Sequence, residues 1–215
     1  MENQTLKELT SVSVPTVRRL PLYMTILKEI ESSSEHVSST LIADRLGLEQ
    51  IQVRKDLAGI GVTGQPAVGF NVRELIGAIE RLLGWDNMRD AILVGAGNLG
   101  QALLGYDGFA RYGLNIVAAF DSNPEIIGMK IHGKPVFDIE LLSSLTERMH
   151  IQIGILTVPG KVAQPVADML IKAGIHAIWN FTPVKLSVSD NTIVEQVDLA
   201  ASLAVLSSKL KAANK

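Results

Sequence analysis

The chain has no cysteine among its 215 residues, which excludes disulfides, thiolate metal sites and cysteine nucleophiles. Aromatic residues are also scarce, at 5%, and no apolar run is long enough for a membrane-spanning helix. Residues 1–10 are polar and carry no signal-peptide core. We therefore expect a cytoplasmic protein with no membrane partner.

The charges nearly balance, with 20 lysine and arginine residues against 22 aspartate and glutamate residues. This balance gives no general electrostatic attraction to nucleic acid or to anionic lipid. At 47% hydrophobic and 20% charged residues, the composition is typical of a globular protein with a substantial core. The length suffices for one large or two small domains.

A buried strand, a glycine turn and the start of a helix follow one another at residues 90–100 (DAILVGAGNLG). In such a unit Gly95 permits the tight turn, Gly97 lets the backbone approach a pyrophosphate, and Gly100 lets helix and strand pack closely. The helix N-terminus then directs unpaired N–H groups at the anion. We expect a dinucleotide to contact Gly95, Ala96, Gly97, Asn98, Leu99 and Gly100.

An acidic residue supports this interpretation. A second predicted strand, residues 115–120, ends at Asp121, and Ser122 follows. A carboxylate there accepts hydrogen bonds from the adenosine ribose hydroxyls and repels a 2′-phosphate, which favours NAD+ and NADH over their phosphorylated forms. A glycine turn alone is a weak signal, because bare packing turns share it. The preceding strand, the following helix and Asp121 together favour dinucleotide binding.

Strands and helices alternate in the rest of the chain, which predicts an α/β domain with a doubly wound parallel sheet. Ligands lie at the carboxyl ends of such strands. We therefore expect Thr157, Val158, Pro159, Asn180 and Phe181 to line the nicotinamide half of the site. The predicted strands are 91–94, 115–120, 135–137, 151–158, 177–181 and 192–197. Predicted helices include 140–148, 162–173, 199–211 and one that begins at residue 98 and continues past 104 toward 106–109.

No catalytic motif accompanies this site. None of the four histidines lies beside an acid in a recognised motif, and no Ser-His-Asp, HExxH or lysine motif is present. The chain also has no further segment large enough to hold a substrate over the nicotinamide. We expect neither a catalytic residue nor a metal site.

Two short predicted helices around Gly47 match a helix-turn-helix. The first spans 40–46 after a serine cap, and the second, about 49–57, is the candidate recognition helix. Glutamine and arginine read base edges in the major groove, and lysine and arginine neutralise phosphates. The glycine-rich segment 59–69 suits the hairpin wing of a winged helix. The expected DNA contacts are Arg18, Arg19, Ser38, Gln50, Gln52, Arg54, Lys55, Gly64 and Gln65.

Plain helical packing is the alternative for this segment, because residues 1–84 hold nine lysine and arginine against ten aspartate and glutamate residues. DNA binding therefore requires that the cations share one face. Ser13 and Pro15 suit a capped helix start, and an apolar stripe over 17–30 continues it. Because Pro21 interrupts this stripe, the helix either begins near Leu20 or kinks at Pro21. Asn71 and Glu74 form a capping box for a helix over 72–83.

Several uncommon strings occur in a fixed order: RRLPLY at 18–23, QVRKDL at 52–57, GFNV at 69–72, VGAGNLG at 94–100, AAFD at 118–121 and VDL at 197–199. On these strings, the chain from about residue 14 to the C-terminal helix resembles the bacterial family of redox-sensing transcriptional repressors called Rex. The resemblance implies a winged-helix domain over 1–84, a Rossmann domain over 85–197 and a C-terminal helix over 198–215. It implies a homodimer that forms through the Rossmann domain and exchanges this helix between its subunits.

The resemblance also implies a function. Operator DNA is bound by the free or NAD+-bound protein, NADH releases it, and the genes repressed are those of fermentation and anaerobic respiration. Tyr106 and Asp198 match a tyrosine and an aspartate that family members link across subunits in the DNA-binding state, so both count among the expected cofactor-site residues. An arginine of the N-terminal helix takes part in that link, and Arg18 or Arg19 matches it.

The expected wing departs from the family. Residues 58–61 (AGIG) stand where an aromatic pair is common, and residues 64–67 (GQPA) stand where basic residues are common. The wing's contacts with DNA and the operator sequence therefore stay open. Two other functions stay open as well: a small NAD-dependent oxidoreductase, and a CoA-binding module built on a related sheet.

Overall fold

The computed structural model describes residues 12–213, and the chain divides into two compact units, Met1–Asn87 and Met88–Lys215. The predicted boundary after residue 84 lies close to this division. The ends of the first and last predicted domains, residues 1–11 and 214–215, lie outside the described residues. Each unit has its own buried core.

The first helix of the N-terminal unit begins at Val14, where Ser13 caps it by accepting a hydrogen bond from the backbone N–H of Thr16. The predicted start with Ser13 as the cap is confirmed. The alternative start near Leu20 is wrong, because the helix is already formed before Pro21 and continues past it. The described elements of this unit are α1 (Val14–Ile30), β1 (His36–Val37), α2 (Ser39–Leu46), α3 (Gln50–Gly59), β2 (Phe70–Asn71) and α4 (Val72–Leu83).

The helix-turn-helix is formed by α2 and α3. Helix α2 ends at Gly47, whose φ of +63° favours glycine. The wing is shorter than the predicted hairpin: Gln65 and Gly69 exchange two backbone hydrogen bonds of 2.7 and 2.9 Å. A Cβ at Gly69 would overlap the carbonyl oxygen of Val37, so this turn lies directly on β1.

The core of the N-terminal unit fixes the recognition helix. Leu20, Tyr23 and Leu27 of α1 are fully buried, together with Leu57 of α3 and Ile79 of α4. Burying an apolar side chain of this size contributes about 1.5–3 kcal/mol. Helix α3 therefore has one face fixed against α1 and one face left outside.

In the described part of the C-terminal unit, seven strands form the sheet: β3 (Arg89–Val94), β4 (Leu114–Asp121), β5 (Lys130–Ile131), β6 (Lys134–Asp138), β7 (Ile153–Leu156), β8 (Ala177–Asn180) and β9 (Ile193–Gln196). Their spatial order is β5-β6-β4-β3-β7-β8-β9. Only β5 is antiparallel to its neighbour. All six predicted strands are present, and β5 was missed because two residues show no periodicity.

The sheet is doubly wound, because consecutive strands run outward from β3 in both directions. Its neighbours β4 and β7 lie on opposite sides, so a crevice opens outside the carboxyl ends of these three strands. Residues 91–94 of β3 are at most 1% exposed and anchor the floor of that crevice. The helices of this unit are α5 (Asn98–Leu104), α6 (Leu142–Met149), α7 (Gly160–Lys172) and α8 (Leu199–Ala213), with 3-10 turns at Asp107–Tyr112 and Ile139–Leu141.

Helix α8 is uncovered along its length and has no buried residue. Its apolar residues Leu199, Leu203, Leu206 and Leu210 are 61–66% exposed. Within residues 12–213, no helix combines the length and apolar character that crossing a bilayer requires.

Candidate cofactor site and candidate DNA interface

The glycine turn after β3 has the geometry that a pyrophosphate needs. Gly95 has a φ of +99°, and a Cβ there would lie 2.9 Å from the carbonyl group of Thr157. A Cβ at Gly100 would overlap the carbonyl oxygen of Gly95. Gly97 has ordinary backbone angles, and a Cβ there would meet no protein atom within 4 Å. Gly95 and Gly100 thus serve the turn itself, whereas Gly97 leaves space for a ligand.

Side chains from the two neighbouring strands hold this turn in place. Asp121 Oδ2 accepts from the backbone N–H of Ala96 at 2.6 Å, and Oδ1 accepts from Asn123 at 2.9 Å. On the other side, the Thr157 hydroxyl donates to the carbonyl of Gly95 at 2.7 Å and to that of Val94 at 3.0 Å. A carboxylate has about four acceptor positions, so Asp121 retains capacity for ribose hydroxyls.

A cavity of about 830 Å³ opens beside the turn, within the range typical of small-molecule sites. It lies at the carboxyl ends of β3, β4 and β7, as the topology predicts. Most of the predicted cofactor residues line it: Gly95, Ala96, Gly97, Leu99, Asp121, Ser122, Thr157, Val158, Pro159 and Phe181.

One wall of the cavity is apolar and was not predicted. Its residues are Ile126, Ile139 and, from α7, Val162, Val166 and Met169. A flat apolar base such as adenine suits such a wall. The spacing of the three α7 residues is a helical stripe, which sequence alone assigns equally well to the core.

Two predicted residues are part of the scaffold and do not line the cavity. Gly100 is buried beneath the turn. Asn180 is fully buried, and its amide donates to the carbonyl of Val184 at 2.8 Å and to Gln196 Oε1 at 2.7 Å. The expectation that Asn180 lines the nicotinamide half is therefore corrected, because its side chain holds the loop after β8. Asn98 is also absent from the lining residues.

Tyr106 and Asp198 also lie away from the lining. Tyr106 is 54% exposed and begins a row of contacting aromatic rings. Its ring centroid is 4.8 Å from Phe109, Phe109 is 5.5 Å from Trp179, and Trp179 is 4.9 Å from Phe181 in the cavity wall. Asp198 caps α8, where its Oδ1 accepts from the N–H of Ala201 at 3.0 Å.

In the N-terminal unit, a buried carboxylate ties the recognition helix to α1. Asp56 of α3 is 2% exposed and accepts two N–H bonds from Arg19, at 2.7 and 2.8 Å. It also accepts from the Tyr23 hydroxyl at 2.6 Å, from Thr16 at 3.0 Å and from Gln52 at 2.9 Å. The orientation of α3 is therefore fixed by one acid with five donated hydrogen bonds.

The electrostatics of this cluster follow from its contacts. Burial alone raises the pKa of Asp56, but the hydrogen bonds from Arg19, Tyr23, Gln52 and Thr16 outweigh burial and hold that pKa below its usual value. Burial, followed by the hydrogen bond to Asp56, raises the pKa of Tyr23. The hydrogen bond to Asp56 raises the pKa of Arg19. The ion pair is therefore charged at neutral pH.

This cluster separates the predicted DNA contacts into two groups. Arg19 and Gln52 donate hydrogen bonds to Asp56, because a buried carboxylate needs such donors. The expectation that these two residues share the outer face with the cations of α3 is therefore wrong. Arg18, Arg54 and Lys55 are exposed. No local sequence pattern indicates the role of Asp56, and none singles out Ile51 of α3, which is 66% exposed.

The remaining predicted DNA contacts surround one depression. Ser38 caps α2 through the N–H of Leu41, and the Gln50 amide donates to Thr40 Oγ1 at 2.6 Å. Both line a cavity of about 510 Å³ with Arg54 and the wing residues Gly64 and Gln65. The cavity thus lies between the recognition helix and the wing.

Comparison with known proteins matches both units. The family model described as CoA binding domain matches residues 86–184, and the one described as putative DNA-binding protein N-terminus matches residues 11–58. The redox-sensing transcriptional repressor Rex of Treponema denticola is 48% identical over 195 residues, which cover 90% of this chain and 93% of that protein.

Solved structures give the same result. The crystal structure of RSP, a Rex-family repressor, in complex with beta-NAD+ and operator DNA has a TM-score of 0.87, 40% identity and 94% coverage of each chain. The complex of RSP with beta-NADH has a TM-score of 0.84, 39% identity and coverage of 94% and 96%. On this similarity along nearly its whole length, the chain belongs to the Rex family of redox-sensing transcriptional repressors.

Proposed function

We propose that this chain represses transcription by binding operator DNA through its N-terminal unit, and that NADH bound in the C-terminal unit releases it. One observation carries the proposal: the chain joins a helix-turn-helix to a dinucleotide-type cavity with a glycine turn and Asp121. The similar protein RSP has been crystallised with beta-NAD+ and operator DNA and with beta-NADH, which supports the same ligands here.

The cavity suggests a contact for each part of the cofactor. The turn from Gly95 to Gly100, including Asn98, receives the pyrophosphate. Asp121 and Ser122 receive the adenosine ribose, and the apolar wall receives adenine. Thr157, Val158, Pro159 and Phe181 are left for the nicotinamide half.

Discrimination between the two redox forms must come from the nicotinamide end, because NAD+ and NADH share the pyrophosphate and ribose contacts. The reduced ring is uncharged and the oxidised ring is a cation. A ligand moves a two-state equilibrium only by its difference in affinity for the two states, and a shift from 99:1 to 1:99 needs about 5.5 kcal/mol. In a dimer, each of two cofactors supplies roughly half of that.

The cavity chemistry supports a sensor over a dehydrogenase. Among the described residues that line it, the one acid is Asp121, and no histidine or lysine is present. Hydride transfer to a carbonyl needs a proton donor within hydrogen-bond reach, and Asp121 lies at the ribose end. NADH therefore acts here as a signal and not as a reductant.

The uncovered stripe on α8 supports a homodimer. An amphipathic helix of this kind is stable when its apolar face is buried, and a second copy of the chain supplies such a surface. We assign Tyr106 and Asp198 to the link between subunits in the DNA-binding state. A protein that represses bacterial genes works where the chromosome is, in the cytoplasm.

The DNA contacts are assigned to the outer surface of the helix-turn-helix. Arg18, Arg54 and Lys55 are the cations on this surface. Ser38, Gln50, Gly64 and Gln65 surround the depression beside the wing. Arg19 and Gln52 contribute by holding α3 in position through Asp56.

CoA binding is the second candidate, because the model that matches residues 86–184 is described as a CoA binding domain. CoA shares the adenosine diphosphate moiety with NADH but carries a 3′-phosphate on its ribose. Asp121 repels that phosphate and suits an unmodified ribose. A competition titration distinguishes the two: we expect CoA to displace NADH only at concentrations far above the NADH dissociation constant.

The decisive experiment is DNA binding with each cofactor titrated separately. The wild-type protein first selects a palindromic duplex from a random pool. This duplex is then labelled, and its binding is measured by fluorescence anisotropy at several salt concentrations. We expect binding to weaken with salt, NADH to release the duplex, and excess NAD+ to leave it bound. Binding that is insensitive to NADH, or the absence of any selected duplex, contradicts the proposal.

A further inference from the structure

We infer that Ile51 reads thymine in the major groove through the thymine 5-methyl group. This inference rests on the proposed DNA-binding function. Ile51 is 66% exposed, whereas the other large apolar residues of α3, Val53 and Leu57, are fully buried. The recognition helix therefore presents one large apolar side chain to its ligand.

Ile51 lies on the face that meets DNA. Residues 51, 54, 55 and 58 follow the i, i+3, i+4, i+7 spacing of one helix face, and all four are exposed. Arg54 and Lys55 make this face cationic. The acid within α3, Asp56, is buried on the opposite side and paired with Arg19. Ala58 is small, so the face can approach a groove closely.

The glutamines of α3 are less available for reading bases. The Gln50 amide nitrogen is 2.6 Å from Thr40 Oγ1, and that of Gln52 is 2.9 Å from Asp56 Oδ1. Bidentate recognition of adenine needs a free amide, so either glutamine must first give up a bond within the protein. Apolar contact with the thymine methyl group is a further means of recognising an A·T pair in the major groove and needs no free amide.

The size of the effect follows from one methyl contact. Burying a methyl-sized apolar group changes an equilibrium constant about fourfold. We therefore expect about a fourfold loss for each half-site when the contacted thymine loses its methyl group. Arg54 and Lys55 act on phosphates or guanine, so this loss is specific to Ile51.

The test replaces single thymines with deoxyuridine in the duplex that the wild-type protein selects. Deoxyuridine keeps the base pair and removes only the 5-methyl group. For the wild-type protein, we expect a loss of about fourfold at one or two symmetric thymine positions. For Ile51→Ala, binding to the thymine duplex is weaker, and deoxyuridine at those positions causes no further loss. Ile51→Val retains most of the penalty.

Ile193→Ala is the matched control, because it makes the same substitution at an isoleucine that is 71% exposed and lies on β9 of the C-terminal unit. It should show the wild-type penalty, and circular dichroism should show all variants folded. The inference is overturned if no thymine position gives a penalty with the wild-type protein, or if Ile51→Ala keeps the full penalty. Selection of no duplex overturns the DNA-binding function and this inference together. Selection of a duplex that ignores NADH overturns only the redox response.

Discussion

The amide of Asn180, at the end of β8, donates to Oε1 of Gln196, at the end of β9, over 2.7 Å. Gln196 in turn donates to the carbonyl of Thr182 at 2.7 Å and to that of Val197 at 3.4 Å. The loop that follows Phe181 in the cavity wall is thereby joined to the residue before Asp198 and α8. This is a contiguous hydrogen-bonded connection between the loop beside the cavity wall and the segment that leads into the C-terminal helix.

Gln196→Leu should uncouple cofactor binding from DNA release. The variant removes the bonds to the loop and to Val197 but leaves the cavity lining intact. We expect the dissociation constant for NADH to change less than about threefold, while the NADH concentration for half-release of DNA rises about tenfold, a coupling loss of about 1.4 kcal/mol. Titrations of the free protein and of the DNA complex measure the two quantities.

Gln164→Leu is the control for this prediction. Gln164 holds the same loop through two bonds to the backbone of Ser187, at 2.8 and 3.0 Å, without contacting the base of α8. In Gln164→Leu, the ratio of the NADH concentration for half-release of DNA to the NADH dissociation constant should equal that of the wild-type protein. Normal NADH-induced release by Gln196→Leu would show that the coupling takes another route.

Asp56→Asn should destabilise the N-terminal unit. The amide cannot accept all the bonds of the carboxylate, and Arg19 is left without its ion-pair partner. Breaking a buried pair costs about 3 kcal/mol, and urea unfolding followed by circular dichroism measures the loss. Glu29→Gln breaks the exposed pair with Arg45 and should cost less than about 1 kcal/mol. If the two variants lost the same free energy of unfolding, Asp56 would not have the structural role inferred here.

The same carboxylate predicts a pH dependence. Because the folded-state pKa of Asp56 is lowered from 3.8, the folded protein binds that proton less readily than the unfolded chain. Its stabilisation is complete above the ordinary pKa and is lost as pH falls through that value toward the folded pKa. The stability difference between wild type and Asp56→Asn should be constant from about pH 7 to 5 and shrink at lower pH. A difference that grows on acidification would contradict this sign.

The two glycines Gly97 and Gly100 should behave differently when changed to alanine. A Cβ at Gly97 meets no protein atom within 4 Å, so Gly97→Ala should melt within about 2 °C of wild type yet bind NADH and NAD+ at least tenfold more weakly. A Cβ at Gly100 overlaps Gly95, so Gly100→Ala should lose both stability and cofactor affinity. Thermal melting and cofactor titration distinguish them, and normal cofactor affinity of Gly97→Ala would place the pyrophosphate elsewhere.

Asp121→Asn should relax the exclusion of NADPH. Asparagine keeps an acceptor for the N–H of Ala96 while removing the charge that repels a 2′-phosphate. We expect the ratio of NADPH to NADH dissociation constants to fall about tenfold, equivalent to about 1.4 kcal/mol. Competition titrations measure the ratio, and Asp138→Asn, at the end of β6, is the control. An unchanged ratio would mean that Asp121 serves only the turn.

Local patterns were sufficient to predict much of this fold. The helix over 72–83 and the glycine turn were predicted correctly because caps and tight turns are set by residues a few positions apart. Arg19 was misplaced because Asp56, which engages it, is 37 residues away along the chain. Gln52 is only four residues from Asp56, but it was misplaced because the burial of that carboxylate depends on packing against α1, which local spacing does not show. Asn180 was misplaced because neighbouring strand residues point to opposite faces, and a shift of one position exchanges cavity for core.

The contact between Trp179 and Phe181 gives this protein a built-in optical reporter. The chain has two tryptophans, and Trp179 lies against a ring in the cavity wall. Indole emission overlaps the absorption band of the dihydronicotinamide, which the oxidised cofactor lacks. In a Trp85→Phe variant, Trp179 is the single tryptophan, and quenching of its fluorescence would report the fraction of sites that hold NADH. The measurement needs no label and distinguishes NADH from NAD+ when both are present.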